Sequence, residues 1–233
     1  MERLDKLLSS RLNITRKQAK ELIKNEKVSV NGKTVKSADF KCGDDDEVVA
    51  DSKRINTSRF VYIMMNKPKG VICASDGKGD KTVIDLLPED MKRKGLFPAG
   101  RLDKDTTGFV LITDDGEFAH NILSPKKHIE KAYTALLDKP VNENVIKDFE
   151  AGMSLGEEKL LPARLKTLNE NNTEVEIIIS QGIYHQIKRM FLKHGITVLE
   201  LKRTSLGSLT LDKNLKEGES RYLTEEESAK IHS

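Results

Sequence analysis

A polar loop that runs directly into an apolar segment is the feature that most constrains this fold. The loop is Gly100-Arg101-Leu102-Asp103-Lys104-Asp105-Thr106-Thr107-Gly108, and the run Phe109–Thr113 follows it, closed by Asp115-Gly116. An apolar run of this length bounded by turn residues predicts a β-strand. Asp103 is therefore expected at the edge of a sheet, where its carboxylate can contact a substrate. Taken alone, such a charged loop is more often a solvated surface turn.

Composition favours a folded protein of one or two domains. The chain has 233 residues, of which 37% are hydrophobic and 33% charged, with a net charge of +3. No run approaches the roughly 18 apolar residues of a membrane span, and the first residues lack the apolar segment of a signal peptide. Cys42 and Cys73 are too few for a disulfide framework and lack metal-ligand spacing. We expect a cytoplasmic protein with no membrane segment.

The first part of the chain is small and basic. Residues 1–36 contain ten basic and four acidic residues, a net charge of +6. Residues 3–12 and the segment after the capping-box pattern Thr15 to Gln18 predict two helices, and Asn31-Gly32 predicts a hairpin. Three cations spaced by four form a basic stripe on the second helix: Arg16, Lys20 and Lys24. A stripe of this kind is as typical of a solvated face as of nucleic-acid binding.

The rest of the chain predicts an α+β fold. Residues 1–50 are expected to form the small domain, the polar stretch 51–59 a linker, and residues 60–233 the large domain. Within the large domain, strands outnumber helices and hairpin-like turns join them, which predicts a mixed, mostly antiparallel sheet flanked by helices. The expected strands are 60–65, 71–74, 110–113, 131–137, 173–180, 198–203 and 209–211, and the expected helices are 117–123, 184–193 and a short one after Thr224.

Ordered motifs give the sequence two family resemblances. The first fifty residues resemble the S4 RNA-binding domain, although Asn25-Glu26-Lys27 stands where S4 domains usually place a glycine. The remainder resembles the pseudouridine synthases, in the branch that acts on bacterial small-subunit (16S) rRNA. Five segments carry the second resemblance: Asn66–Gly70, Gly100–Gly108 with Asp115-Gly116, Ser124–Lys127 with Lys131-Ala132-Tyr133, Gly182–Met190, and Leu201–Arg203 with Gly207–Leu209.

The resemblance implies a role for each candidate site residue. Asp103 is the implied nucleophile, Lys188 its ion-pair partner, with Arg189 as an equally basic alternative, and Tyr133 the tyrosine that stacks on the uracil. Arg101 is expected to hold the flipped nucleotide or to fill the gap it leaves. The further cations expected to contact RNA are Arg3, Arg16, Lys17, Lys20, Lys24, Arg189 and Arg203.

The expected reaction isomerises uridine in ribosomal RNA and needs no cofactor or metal, because nothing is oxidised and no group is lost. The expected partner is ribosomal RNA or a subunit assembly intermediate, and the chain is expected to act as a monomer. A large-subunit (23S) rRNA enzyme and a non-catalytic S4-type RNA-binding factor remain alternatives. A metal-dependent phosphodiesterase using Asp103, Asp105, Asp114 and Asp115 is a third. His128, His185 and His194 lack metal-site spacing and are expected to be structural.

Overall fold

The computed structural model describes residues 1–232, so the last residue of the expected large domain, Ser233, lies outside the described part. The chain divides into two compact units. The first unit comprises Met1–Val61 and Leu87–Leu96, and the second comprises Tyr62–Leu86 and the chain from Phe97 onward. Each unit has its own set of elements and is described separately.

The first unit packs two helices against short strands. Its elements are α1 Leu4–Arg11, α2 Arg16–Lys24, β1 Glu2–Arg3, β2 Val28–Val30, β3 Lys33–Thr34, β4 Lys41–Cys42, β5 Val48–Ala50 and β6 Lys53–Ile55. Helix α2 begins at the predicted capping box, in which Thr15 Oγ1 accepts from the Gln18 amide and the Gln18 side chain accepts from the Thr15 amide. The Asn31-Gly32 turn joins β2 and β3 as predicted. Glu26, in the segment Asn25-Glu26-Lys27, has φ +59°, a left-handed backbone conformation that glycine adopts more readily than other residues.

The predicted linker is partly wrong, because β6 lies inside it. Lys53–Ile55 pairs antiparallel with β5, with Ile55 buried in the core of the first unit. The segment Leu87–Leu96, expected in the large domain, also packs in the first unit. There the Lys94 amide donates to the Ser10 carbonyl, and the Lys94 ammonium donates to the Ile14 carbonyl at 2.8 Å.

The second unit is built on a large mixed sheet, which confirms the predicted α+β class. The sheet strands are β7 Tyr62–Lys67, β8 Phe97–Pro98, β9 Thr107–Thr113, β10 Lys131–Leu137, β13 Arg164–Thr167, β14 Glu174–Ile179, β15 Val198–Arg203 and β18 Ser220–Tyr222. Within the described residues the sheet has eight strands in the order β13-β14-β10-β15-β9-β7-β18, with β8 beside β9. These pairings are antiparallel except that of β15 with β9, which is parallel.

Helices and two short hairpins complete the second unit. The helices are α3 Gly116–Leu123, α4 Glu143–Ala151, α5 Gln186–Lys193 and α6 Glu225–Ala229, and the hairpin strands are β11 Ser154–Leu155, β12 Glu158–Lys159, β16 Ser205–Leu206 and β17 Leu209–Thr210. Helix α6 begins at the predicted Thr224 capping box.

Several predicted elements differ from those observed. The strand predicted over 60–65 is Tyr62–Lys67, and the strand predicted over 110–113 begins at Thr107. Residues 71–74 do not pair with β7, whose neighbours are β9 and β18; they form a loop tied by a single bridge between Ile72 and Thr82. The helix predicted over 184–193 begins at Gln186, because His185 has φ +51°, which an α-helix cannot contain.

Candidate active site

A small cleft of about 90 Å³ opens in the second unit beside the loop between β8 and β9. Its floor is one face of the sheet, because Tyr133, Ile179 and Leu201 lie on strands β10, β14 and β15 and share a side of the pleat. Its walls come from the loop before β9 and the first turn of α5. The lining residues are Arg101, Leu102, Asp103, Thr106, Tyr133, Ile179, Gly182, Ile183, His185, Gln186, Ile187, Lys188 and Leu201.

Asp103 lines this cleft with 29% of its side chain exposed. Its Oδ2 is 3.3 Å from the Lys188 ammonium, the ion-pair partner that the motifs indicate. Its Oδ1 is 3.4 Å from Nε2 of His185, a contact that sequence reasoning missed because it treated this histidine as structural. The Lys188 ammonium and the His185 imidazole thus lie beside different oxygens of the Asp103 carboxylate.

Lys188 has a second carboxylate partner that the sequence did not indicate. Its ammonium donates to both oxygens of Asp105, at 2.6 and 2.8 Å, which are shorter than its contact with Asp103. These hydrogen bonds hold the pKa of the Asp105 carboxyl below its ordinary value. Asp103 and Asp105 lie two residues apart in the same loop, and both carboxylates contact the Lys188 ammonium. The ammonium is thereby fixed beside Asp103.

Tyr133 lies in the middle of β10 and is 7% exposed. Its cross-strand neighbours are Ile177 on β14 and Arg203 on β15. The ring lines the cleft that also holds Asp103, so the structure brings together the three residues expected to be catalytic: Asp103, Tyr133 and Lys188.

The loop that carries Asp103 is anchored from beneath by Lys67, a residue that sequence reasoning did not select. Lys67 is fully buried, and its ammonium donates to the carbonyl oxygens of Pro68, Lys104 and Thr106 at 3.1, 3.3 and 2.8 Å. A lysine ammonium has three donors, and these carbonyls satisfy all of them. Burial lowers the pKa of Lys67. The Gly70 amide adds a bond to the Lys104 carbonyl at 2.8 Å, so the Asn66–Gly70 motif fixes the backbone of the loop.

The arginines expected to contact RNA in this unit differ in their placement. Arg101 is exposed and lines the cleft, consistent with contact to a nucleotide. Arg189 lies outside the lining, with Nη2 on Glu158 at 2.6 Å and Nη1 donating to the Tyr184 carbonyl. Arg203 is 2% exposed, and its Nε donates to the Phe109 carbonyl at 2.7 Å. The expected role of Arg203 as a surface RNA contact is therefore wrong; this side chain joins β15 to β9.

The cations expected on the first unit lie on its surface. Those of the α2 stripe and its neighbour are all exposed: Arg16, Lys17, Lys20 and Lys24. Arg3 is also exposed, with Nε 3.1 Å from the buried Asp5 carboxylate. The stripe offers charge to a polyanion without first breaking a buried contact.

The metal-dependent alternative finds little support in these positions. Asp115 is the N-cap of α3, accepting from the Glu117 and Phe118 amides, and it also accepts from the Tyr62 hydroxyl at 2.7 Å. Among residues 1–232, no group of three or more His, Cys, Asp or Glu side chains is arranged to hold a metal ion. The helices of this described part are all too short or too polar to cross a bilayer.

Similarity to known proteins agrees with this geometry. Residues 61–193 match the family described as RNA pseudouridylate synthase, and residues 2–48 match the S4 domain. A ribosomal small subunit pseudouridine synthase A of Vibrio cholerae is 44% identical over 231 residues, covering 98% of this chain and 99% of the relative. The protein of the same name from Escherichia coli is 42% identical over 232 residues, covering 98% and 99%.

Two further comparisons extend over the same length. An uncharacterized RNA pseudouridine synthase of Bacillus subtilis is 42% identical over 229 residues, covering 97% of this chain and 96% of the relative. A crystal structure of a pseudouridylate synthase aligns with a TM-score of 0.70 at 38% identity, covering 99% of this chain and all of the other. With the family match spanning most of the second unit and these relatives spanning nearly the whole chain, the protein belongs to the RNA pseudouridine synthase family and carries an S4 domain at its front.

Proposed function

We propose that this enzyme converts a uridine of small-subunit (16S) ribosomal RNA to pseudouridine, with Asp103 as the nucleophile. The observation that carries the proposal is the placement of the Asp103 carboxylate, which lines the cleft with Lys188 at 3.3 Å and His185 at 3.4 Å. The choice of RNA is supported by the relatives from Vibrio cholerae and Escherichia coli, whose names specify the small ribosomal subunit and whose sequences align along nearly all of this chain.

The chemistry requires one bond to break and another to form at the same sugar carbon. The Asp103 carboxylate attacks C1′, and the bond from C1′ to uracil N1 breaks with its electrons moving to the base. The uracil turns within the cleft, its C5 bonds to C1′, and the carboxylate leaves. The hydrogen on C5 is then lost as a proton, and N1 gains one. Substrate and product are isomers, so the reaction consumes no redox cofactor and no nucleotide.

The neighbouring side chains have distinct parts in this proposal. The Lys188 ammonium places a positive charge beside the Asp103 carboxylate, in a cleft whose floor is apolar. The Tyr133 ring supplies a flat surface for the uracil and a hydroxyl within the same cleft. Arg101, exposed at the lining, holds the extruded nucleotide through its phosphate or fills the space that the base leaves in the stack. The S4 domain contributes affinity through the exposed cations on α2.

Release of tritium tests the nucleophile. Small-subunit rRNA labelled with tritium at uracil C5 is incubated with wild-type protein, with Asp103→Asn and with the control Asp80→Asn. Asp80 is a matched control because it is exposed and pairs with Lys104 in the adjacent loop. We expect release by wild type and Asp80→Asn, with or without EDTA, and none by Asp103→Asn despite retained RNA binding. Substantial release by Asp103→Asn would refute the assignment.

Mapping of modified nucleotides tests the choice of RNA. Pseudouridines are compared between ribosomal RNA of a strain lacking this protein and that of its parent strain. We expect one pseudouridine to disappear from small-subunit rRNA. Loss from large-subunit rRNA would reassign the substrate, and no change in either RNA would contradict the rRNA proposal. Repeating the reaction on naked rRNA and on assembly intermediates then identifies the form that is modified.

A further inference from the structure

Beside the cleft lies an aromatic pair that the proposed reaction does not use. Tyr184 is 75% exposed. Its ring stacks on His185, with centroids 3.8 Å apart and planes 17° from parallel. One face of the tyrosine ring is thus covered by the imidazole. The other face is open to solvent.

The position of this pair relates it to the substrate. Ile183 and His185 line the cleft, whereas Tyr184 between them does not. His185 in turn lies 3.4 Å from Asp103. The open face of Tyr184 is therefore outside the space for the target uridine but separated from Asp103 by only one stacked ring.

The turn that presents Tyr184 is held rigid by its neighbours. The Ile183 amide donates to the side chain of Gln186, which is buried, and the Gln186 amide donates back to the Ile183 carbonyl. Arg189 donates to the Tyr184 carbonyl at 3.1 Å while its other nitrogen pairs with Glu158. Because the backbone and the imidazole support are already fixed, little conformational entropy remains to be lost when a base stacks on the ring.

We propose that Tyr184, supported by His185, is a stacking platform for the base of a nucleotide immediately flanking the target uridine. The proposal rests on the proposed function, since it takes the nucleotide in the cleft to be the target. An open aromatic face accepts any base, and such stacking is a general means of holding single-stranded RNA. Tyr184 is a binding residue here: it contacts the substrate away from the reacting atoms.

The test measures equilibrium binding of a short RNA taken from small-subunit rRNA around the mapped uridine. Two further RNAs replace either the 5′ or the 3′ neighbour of that uridine by an abasic ribose. The proteins are wild type, Tyr184→Leu, Tyr184→Phe and the control Leu168→Ala. Leu168 is also an exposed apolar residue, and its amide bonds Glu174 at the far end of β14. Glu174 is five residues from Ile179 in the cleft floor, a distance of roughly 17 Å along the strand at about 3.4 Å per residue.

Stacking predicts a specific pattern of coupling. Tyr184→Leu should weaken binding of the intact RNA about tenfold, within the roughly 5- to 150-fold range of base–aromatic stacking. It should have little effect on one of the two abasic RNAs, because the partner base is already absent. Tyr184→Phe and Leu168→Ala should bind all three RNAs like wild type. Tyr184→Leu should raise KM for pseudouridine formation and leave kcat unchanged, whereas Tyr184→Phe and Leu168→Ala should have the KM of wild type.

Two results would overturn the platform. Equal weakening of all three RNAs by Tyr184→Leu would mean that the ring only supports the turn, and equal affinity of Tyr184→Leu and wild type would mean that it binds nothing. Because binding is measured without turnover, the proposed function is judged separately. If the wild-type protein bound this RNA and never converted its uridine, the proposed function would be refuted. The stacking proposal would still be judged from the dissociation constants alone.

Discussion

Gly108 is the position at which the addition of a single methyl group should disrupt the site most strongly. It is the second residue of β9, just after the loop that carries Asp103, has φ +97°, and is registered with Arg203 in the parallel pair of β9 and β15. A Cβ atom there would lie 2.2 Å from the Arg203 carbonyl oxygen and 2.9 Å from its amide nitrogen. Both neighbours are backbone atoms, so no side-chain rotation relieves the overlap. Gly108→Ala must push the strands apart.

The cost of Gly108→Ala can be added from its parts. A non-glycine residue at this φ carries roughly 1–3 kcal/mol of backbone strain. The parallel pairing has two registered pairs, Lys202 with Thr107 and Arg203 with Gly108, and the bond from Arg203 Nε to the Phe109 carbonyl lies beside them. Losing two of these hydrogen bonds costs about 1–3 kcal/mol more. We expect a loss of roughly 2–6 kcal/mol, a large share of a typical domain's stability.

Urea unfolding with hydrogen exchange of the β9 amides measures this loss, because the exchange data assign it to the second unit. Gly116→Ala is the matched control: Gly116 is the first residue of α3, and a methyl group added there would meet no atom within 4 Å beyond its own helix and chain neighbours. It should be neutral or stabilising by up to about 1 kcal/mol. A Gly108→Ala protein within about 1 kcal/mol of wild type would refute the close approach of β9 and β15.

Three further predictions concern charge. Lys188→Met should reduce single-turnover tritium release at least about 100-fold with little change in RNA affinity. Lys188→Arg should retain more activity, because arginine keeps the positive charge beside Asp103. Full activity of Lys188→Met would contradict the ion-pair role. Replacing Arg16, Lys20 and Lys24 together by Gln should reduce the magnitude of the slope of log binding constant against log salt concentration by about 2. RNA titrations at several salt concentrations measure this slope. An unchanged slope would show that α2 is not part of the RNA interface. Burial and the nearby Arg203 guanidinium lower the pKa of Lys131 from 10.5 to about 8, so its charge destabilises the folded state below pH 8 and ceases to do so above 10.5. The urea midpoint of wild type should therefore rise relative to that of Lys131→Met between these pH values, and parallel pH profiles would contradict it.

Local patterns were sufficient to predict most elements of the fold. The capping boxes at Thr15 and Thr224 and the Asn31-Gly32 turn act within a few residues, so their outcome does not depend on distant packing. Strands β10 and β15 begin and end where the apolar patterns do. Lys53–Ile55 was missed because only one of its residues is apolar, and its strand form depends on pairing with β5.

Long-range packing decided what the patterns could not. The motif around Arg203 was recognised, but its charge suggested a surface role, whereas the chain buries the guanidinium on the Phe109 carbonyl. No sequence pattern in the segment Leu87–Leu96 assigns it to the first unit. Its Lys94 hydrogen-bonds to the carbonyl oxygens of Ser10 and Ile14, about eighty residues earlier in the chain. The contacts of Lys188 with Asp105 and of His185 with Asp103 also arise only when distant segments meet.

The topology explains why Asp103 and Lys188 meet although 85 residues separate them. Helix α5 begins near Lys188, and β15 then runs back along it, so the end of β15 returns toward the helix start. At that end Lys202 is registered with Thr107, the first residue of β9, four residues after Asp103. The parallel pair thus brings the loop before β9 to the first turn of α5. For this reason Gly108→Ala, which changes neither charged residue, should separate Asp103 from Lys188 and lower activity even in the fraction of protein that remains folded.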